Sequence, residues 1–224
     1  MKKVNEAKSR KKPWPTKDAM KQVYAMQLWG KDDSPYYSGD GSHYPEIVDP
    51  YLKVLKSFLT SFARPITVCD LGCGDFNVGK ELVKYTDKYV AVDIVEDLIV
   101  YNKRTFNDDN LEFQCLDIAV DDLPNADCVL LRQVLQHLSN AEILSIVKKL
   151  PAFEYVILTE HLPEGEFMPN KDIISGQGTR LKKQSGVDLL ASPFNLKVKK
   201  QKHMLSILPK GHKGVIETTL YKVF

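Results

Sequence analysis

The sequence lacks the features of a membrane-spanning, secreted or disulfide-bonded protein. It has no run of roughly 18 or more apolar residues, which a transmembrane helix needs. The basic N-terminus lacks the apolar segment of a signal peptide. The four cysteines, Cys69, Cys73, Cys115 and Cys128, fall in or beside predicted strands and not in a disulfide framework. We therefore expect a cytoplasmic protein whose cysteines are reduced core residues.

Motifs for metal and nucleoside-triphosphate binding are also missing. There is no CxxC pair, no HExxH and no close group of histidines, so the sequence predicts no metal site. Neither GKS nor GKT follows the glycine-rich run, which excludes a P-loop. No internal repeat is visible either. The chemistry must be sought in another motif.

Composition and charge indicate a single folded domain with a basic N-terminal tail. Hydrophobic residues make up 43% of the 224 residues and charged residues 27%. The net charge of +2 hides an excess of lysine and arginine in residues 1–15. We interpret this segment as a flexible tail or, alternatively, as an arm for an anionic partner. A basic run at 197–202 is either a solvated face or a nucleic-acid contact.

The order of predicted elements indicates an α/β fold. Two amphipathic helices come first, and short apolar runs then alternate with helical stretches, which is typical of βαβ units. The final two strands, joined by a tight turn, should form an antiparallel hairpin. Helices are predicted at 16–28, 45–62, 78–85, 96–106 and 140–150, and strands at 66–71, 89–93, 111–116, 126–131, 155–159, 204–208 and 215–224.

These elements predict one domain over residues 16–224. We interpret residues 16–62 as an N-terminal helical lid. Residues 161–202 form a connection too long to be an ordinary link between strands, and we interpret them as a substrate-binding elaboration.

The candidate ligand site lies in the run TVCDLGCGDFNVGKEL. Asp70 ends the first strand, Gly72 and Gly74 permit a sharp turn and a close approach to a ligand, and the next helix should offer free amides. Asp93 ends the second strand, where a carboxylate can accept two hydrogen bonds from a ribose diol. Together they predict a nucleotide-type cradle. The alternative is a plain tight turn with an unrelated surface acid.

These motifs resemble those of class I methyltransferases. DLGCG is similar to the family's glycine-rich first motif and VAVD to its second-strand acid motif, while LDIAVDDLP and ADCVLLRQVLQHL resemble its third and fourth motifs. The resemblance implies a Rossmann-like, doubly wound, mostly parallel seven-stranded sheet with an antiparallel terminal strand and N-terminal helices. The sequence departs from the pattern at Phe76, where many members have a third glycine, so the phenyl ring is expected to shape the pocket.

The resemblance implies S-adenosylmethionine as the cofactor. Asp117 would bind the adenine amino group, Ile118 would pack on the ring, and Arg132 and Gln133 would lie beside the methionine part. Dehydrogenases can have a similar nucleotide-type cradle. The missing third glycine and the terminal antiparallel strands favour a methyltransferase. The predicted cofactor-binding set is Ser38, Asp70, Gly72, Cys73, Gly74, Asp93, Ile94, Asp117, Ile118, Arg132 and Gln133.

Three residues are candidates for catalysis. His161 follows the fifth strand at the edge where ligands bind in open sheets, and it is the preferred general base. Glu160 beside it could take the same role or merely cap the loop. His137 resembles a histidine common after the fourth strand of this superfamily, and it is either catalytic or orients its own loop.

Two loops are candidates for binding the substrate. The loop YYSGDGSH resembles segments that fold over the cofactor in related enzymes, and in it we assign Tyr37 and His43 to the substrate; an exposed turn is the alternative. Arg180 could clamp a carboxylate or phosphate, or it could be a surface arginine in a mobile loop.

Three functions are compatible with these features. We prefer methyl transfer to an oxygen or nitrogen of a small molecule, such as a metabolite, sugar or biosynthetic intermediate. An RNA or protein methyltransferase is the second: the basic segments favour it, whereas the lack of an NPPY-type motif and of an added binding domain does not. The third is a non-catalytic protein that binds S-adenosylmethionine. A small-molecule acceptor without a membrane partner is expected, and nucleic acid is not favoured.

Overall fold

The computed structural model describes residues 13–224, so the predicted flexible tail at 1–15 lies almost entirely outside the described part. The α-helices are α1 (Thr16–Ala25), α2 (Pro45–Leu59), α3 (Glu96–Thr105) and α4 (Asn140–Val147). The strands are β1 (Thr67–Leu71), β2 (Lys88–Asp93), β3 (Leu111–Cys115), β4 (Cys128–Arg132), β5 (Tyr155–Leu162), β6 (Lys200–Ile207) and β7 (Val215–Lys222).

All seven strands form one sheet in the order β3-β2-β1-β4-β5-β7-β6. Strands β1 to β5 are parallel, and β7 runs antiparallel between β5 and β6. The predicted Rossmann-like, mostly parallel sheet with an antiparallel terminal strand is therefore confirmed. The strand order reverses between β1 and β4, which is the place where open α/β sheets bind ligands.

The two faces of the sheet are covered because the parallel strands are apolar on both sides. One core cluster places Leu55 and Leu59 of α2 against Val68 and Leu130, and the other packs Ile143 and Ile146 of α4 onto the opposite face. The start of α4 is fixed by a capping box in which Ser139 and Glu142 bond each other's backbone amides. No helix within residues 13–224 is long and apolar enough to cross a membrane.

The α-helix predicted at 78–85 does not form. Two short 3-10 turns, Gly79–Glu81 and Val83–Tyr85, replace it. Glycine and β-branched valine are weak helix formers, and Gly79 packs so closely on Phe76 that a Cβ atom would lie 2.4 Å from the ring. The expected row of free amides at a helix N-terminus is therefore absent from the glycine turn.

The expectation that Phe76 shapes the pocket is also wrong. Its ring is fully buried and makes edge-on contacts with Tyr89, Phe106 and Phe113 behind the turn. Phe76 has a φ of 62°, a left-handed conformation that a bulky residue rarely adopts. The aromatic cluster thus compensates for the missing third glycine by anchoring the turn from beneath.

One further expectation, that all four cysteines are core residues, needs correction. Cys69 and Cys128 are buried and all four cysteines are free, but Cys115 is exposed and Cys73 is half-buried, so they are not all core residues. The connection between β5 and β6 is irregular apart from a 3-10 turn at Arg180–Lys183. Its later part packs Val187 and Leu189 into the main core.

We expect Phe76→Ala to lower the free energy of unfolding by about 3–5 kcal/mol, because it empties the centre of a buried aromatic cluster. Urea denaturation measures this change. The matched control is Phe224→Ala at the half-exposed C-terminus, where a change within about 0.5 kcal/mol is expected. Equal losses in the two variants would contradict the anchoring role of Phe76.

Candidate active site

A cavity of about 510 Å³ lies at the carboxyl ends of β1, β2, β4 and β5. Its wall combines these strand ends with the loop at 38–42, the segment at 177–182 and the hairpin turn between β6 and β7. Most of the residues predicted for the site meet there: Ser38, Asp70, Gly72, Cys73, Gly74, Asp93, Ile94, Asp117, Ile118, Arg132, Gln133, His137 and His161.

Two glycines of the turn after β1 are required by close packing. Gly72 and Gly74 have φ values of 85° and 57°, which favour glycine. A Cβ atom on Gly72 would lie 2.4 Å from the Val134 side chain, and one on Gly74 would lie 2.4 Å from Ser38 Oγ. The missing side chains therefore let two other loops close against the turn.

The loop at 38–42 is fixed to the glycine turn by Ser38 and Asp75. The Ser38 amide donates to Asp75 Oδ2 at 2.7 Å, and the Asp75 amide donates to Ser38 Oγ at 2.8 Å. Asn77 adds a bond from Nδ2 to the Ser42 carbonyl at 2.8 Å. Asp75 was not among the predicted residues, although its position directly after the second glycine was a usable signal.

Three buried carboxylates lie beside the glycine turn after β1. Asp93 accepts from the Gly74 amide at 3.1 Å and from the Val95 amide at 3.0 Å, and burial raises its pKa. Asp70 accepts from the Tyr89 hydroxyl at 2.9 Å, and burial raises its pKa to about 6. Together with Asp75 they make this end attractive to a cationic ligand.

Arg132 brings one positive charge to the carboxylates. Its guanidinium lies 4.9 Å from the centre of the Tyr51 ring and donates to the Gly41 carbonyl and, at 3.2 Å, to Ser42 Oγ. Its Nε atom is buried and has no hydrogen-bond partner among residues 13–224. Because that atom is enclosed, Arg132 can act on an anionic group of a ligand through its positive charge.

His137 is held by its own loop. Its ring lies 5.1 Å from that of Trp29, Nδ1 lies 3.3 Å from the Gly178 carbonyl, and Nε2 lies 3.2 Å from Gln136 Nε2. Burial lowers the pKa of His137 to about 4, so the ring is neutral at physiological pH. The geometry favours the alternative in which His137 orients its loop.

His161 lies on the cavity wall at the end of β5. Its backbone amide donates to Gln136 Oε1 at 3.2 Å. Burial lowers the pKa of the ring, the Lys213 backbone opposes this effect, and charge on His212 lowers the pKa further. The Nε2 atom is enclosed next to Gly214 and has no hydrogen-bond partner within residues 13–224.

Glu160 does not reach the cavity. Its side chain is buried behind the wall, where Oε1 accepts from the Leu135 amide at 3.1 Å. Burial raises the pKa of Glu160, against the attraction of the nearby Arg180 charge. The prediction of a catalytic Glu160 is therefore wrong, because adjacent residues of a strand point to opposite faces of the sheet.

Arg180 is neither a surface residue nor a substrate clamp. It is 1% exposed, and its donors bind the backbone that links β4 to α4. The bonds run from Nη1 to the Leu135 carbonyl at 3.0 Å and from Nη2 to the Leu138 carbonyl and Asn140 Oδ1, both at 2.7 Å. Its Nε donates to the Lys171 carbonyl at 3.1 Å. No group on Arg180 is left for a substrate.

Tyr37 and His43 also support the structure instead of lining the cavity. The Tyr37 hydroxyl donates to Asp40 at 2.8 Å, and its ring stacks on His43 at 4.2 Å between centres. His43 Nε2 lies 2.7 Å from Asp75 Oδ2. Both residues therefore stabilise the predicted loop YYSGDGSH, but they do not line the cavity.

Several cavity residues were not predicted. Among them are Tyr24, Trp29, Tyr51, Asp75, Gln136, Lys182 and His212. Asp75 and Gln136 lie in or beside the quoted motifs, whereas the others come from segments without a recognisable motif and reach the cavity only through the fold. Within residues 13–224 no group of three or more histidine, cysteine, aspartate or glutamate side chains is arranged to hold a metal ion.

Comparison with known proteins gives a family match and a shared fold. A family model described as a methyltransferase domain matches residues 69–152. No curated protein matches the sequence.

Several solved structures share the fold. The N-methyltransferase NodS from Bradyrhizobium japonicum WM9, in complex with S-adenosyl-L-homocysteine, has a TM-score of 0.67 at 10% identity and covers 92% of this chain and 99% of that chain. A 1,6-didemethyltoxoflavin-N1-methyltransferase from Burkholderia thailandensis, with its substrate and S-adenosylhomocysteine bound, has a TM-score of 0.60 at 14% identity, with 93% and 87% covered.

We expect Arg180→Met to lower the free energy of unfolding by about 3–5 kcal/mol, because buried carbonyls lose their donor and buried Glu160 loses a nearby positive charge. Chemical denaturation measures the change. Lys183→Met, three residues along the same turn and exposed, is the control and should change stability by less than about 1 kcal/mol. A small effect of Arg180→Met would contradict the structural assignment.

Proposed function

We propose that the chain is a class I, S-adenosylmethionine-dependent methyltransferase that transfers a methyl group to an oxygen or nitrogen of a small molecule, since residues 69–152 match a methyltransferase domain. One observation carries the proposal. A single cavity contains the glycine turn of β1, the acid that ends β2 and His161 at the end of β5. Cofactor and acceptor could thus lie side by side within it.

The cavity fits this cofactor. Its volume is within the roughly 300–1,000 Å³ of ligand pockets, and both the glycine turn and Asp93 lie on its wall. We assign Asp93 to the ribose hydroxyls, with Ile94 beside it, and Asp117 and Ile118 to the adenine. Bound there, S-adenosylmethionine supplies an electrophilic methyl group on a sulfonium.

We assign the amino-acid part of the cofactor to the end of the glycine turn that lies away from the ribose site at Asp93. The carboxylates described above would attract its positive charges, with Asp70 nearest the turn. Arg132, which lines the cavity, would place its positive charge beside the carboxylate, while Ser38, Cys73 and Gln133 enclose the group. Each of these roles rests on position in the cavity and on the chemistry of the side chain.

His161 is the group we assign to proton removal. Methyl transfer needs the acceptor atom placed in line with the methyl group, water excluded, and a proton removed if the acceptor is a hydroxyl. His161 lines the cavity and its lowered pKa keeps the ring neutral and basic at pH 7. Since Nε2 is enclosed next to Gly214, we assign the proton-accepting role to Nδ1.

The cavity favours a small acceptor over a macromolecule. Its far wall is formed by the segment at 177–182 and the turn at 209–212, and the cofactor would take much of the 510 Å³. The basic tail that favoured an RNA or protein acceptor lies largely outside the described residues. A small metabolite, sugar or biosynthetic intermediate is therefore the acceptor class we propose.

We expect S-adenosylhomocysteine to bind wild-type protein and to lose about 1–3 kcal/mol of binding free energy in Asp93→Ala, because two ligand hydroxyls lose their acceptor. Isothermal titration calorimetry measures both affinities. Asp93→Asn keeps the shape and one acceptor oxygen, so it should fall between the two.

Asp122→Ala, an exposed acid outside the cavity, is the matched control and should bind like wild type. Binding of NAD in place of S-adenosylhomocysteine would overturn the cofactor assignment. Equal affinity of wild type and Asp93→Ala would overturn the role of Asp93.

For an acceptor found by screening with labelled methyl groups, we expect His161→Gln to lower kcat by about 10²–10⁴-fold. Burial places the pKa of His161 below its ordinary value of 6.5, so the wild-type rate should be constant near neutral pH and fall as the pH drops through that lowered pKa. The acid limb should vanish in His161→Gln while the KM for cofactor stays unchanged. A pH profile identical to wild type would exclude His161 as the base.

A further inference from the structure

Two separate segments bring basic side chains to the β5 end of the cavity. Lys182 comes from the 3-10 turn at Arg180–Lys183, and His212 comes from the turn between β6 and β7. Both segments lie against β5, which contains His161: the Arg180–Lys183 turn contacts β5, and Gly214 packs against the His161 ring. This end is where the proposed function places the acceptor.

Lys182 is not neutralised by the described chain. Among residues 13–224, no carboxylate lies within 4.0 Å of its ammonium group. His212 has one acidic neighbour, Asp40, with Nε2 3.7 Å from Oδ2, and the other oxygen of Asp40 already accepts from the Tyr37 hydroxyl. Exposed Lys210 and Lys213 on the same turn add to the positive potential.

Several carboxylates also line the cavity. Asp70, Asp75 and Asp93 surround the glycine turn, as described above. Glu142 lines the cavity as well, but its oxygens accept from the Ser139 amide, from Thr16 and from Ser175. Asp40 lies beside His212, so the contrast in charge is between the glycine turn with its three acids and Lys182, which has no carboxylate partner among residues 13–224.

We propose that the acceptor carries an anionic oxygen group, a carboxylate or a phosphate, which Lys182 and His212 bind next to the atom that is methylated. The inference rests on the proposed function. In the transfer step, a lone pair on the acceptor oxygen or nitrogen forms the bond to the methyl carbon. The carbon–sulfur bond breaks with its electrons going to sulfur, and the acceptor proton passes to His161. The anionic group takes no part in the bond changes and serves to orient the acceptor.

An anion at this position would also support His161. When His212 is protonated, its charge disfavours a proton on His161. A bound anion would compensate that charge and make the proton transfer to His161 more favourable. An anionic acceptor would therefore bring part of the electrostatic environment that the reaction needs.

The test uses protein saturated with S-adenosylhomocysteine and three aromatic probes of similar size: phenyl phosphate, benzoate and the neutral benzyl alcohol. Calorimetry should show that phenyl phosphate or benzoate binds at least about 10-fold more tightly than benzyl alcohol. This difference in affinity is what a charge-assisted hydrogen bond is expected to add. The comparison of the two anions tells whether the site suits phosphate or carboxylate. The advantage should shrink when salt is raised.

Lys182→Gln should remove most of the anion's advantage while S-adenosylhomocysteine binds as in wild type. Lys183→Gln is the matched control: its ammonium binds the Asp172 carbonyl at 2.7 Å outside the cavity, so anion binding should not change. If S-adenosylhomocysteine binds but neither anion binds better than benzyl alcohol, or if both lysine variants lose the advantage equally, the inference is overturned. If S-adenosylhomocysteine itself does not bind, the proposed function fails instead.

Discussion

The reciprocal hydrogen bonds between Ser38 and Asp75 are the contact on which the cavity depends. They close the N-terminal loop over the turn after β1, and they form because Gly74 has no side chain to occupy the position of Ser38 Oγ. The backbone of Gly74 is fixed in addition by Asp93, which accepts from its amide, and by Asn102 of α3, which donates to its carbonyl at 2.8 Å. One small residue thus joins the loop, β2 and α3, and the ligand-binding wall is rigid where three elements meet.

A second buried contact organises the opposite wall. Arg180 binds carbonyls, and Glu160 an amide, of the same loop between β4 and α4, so its polar backbone is satisfied by two side chains of opposite charge. That loop contains Gln136, which receives the His161 amide, and His137, which contacts Gly178. The irregular segment after β5 is therefore part of the scaffold as well as part of the cavity wall.

The sequence predicted the sheet well because five parallel strands, buried on both faces, appear as separate apolar runs, and most of the predicted site residues line the cavity because strand ends converge at one edge. It failed where side-chain contacts depend on the folded arrangement. Nothing around Arg180 indicates that its guanidinium binds carbonyls far earlier in the chain, and even within one loop the sequence does not show that the Tyr37 ring stacks on His43. Lys182 and His212 belong to segments without a motif. Only tertiary packing places them at the cavity.

The position of β7 has a consequence for how the protein folds. β7 follows β6 in the chain but lies between β5 and β6 in the sheet, so β6 joins the sheet only when β7 is in place. The glycine turn and Asp93 come much earlier in the chain, whereas the turn containing His212 and Gly214 reaches β5 only with β7. A chain in which β7 has not yet paired would therefore possess most of the cofactor-binding half of the cavity while the other half is still open to water.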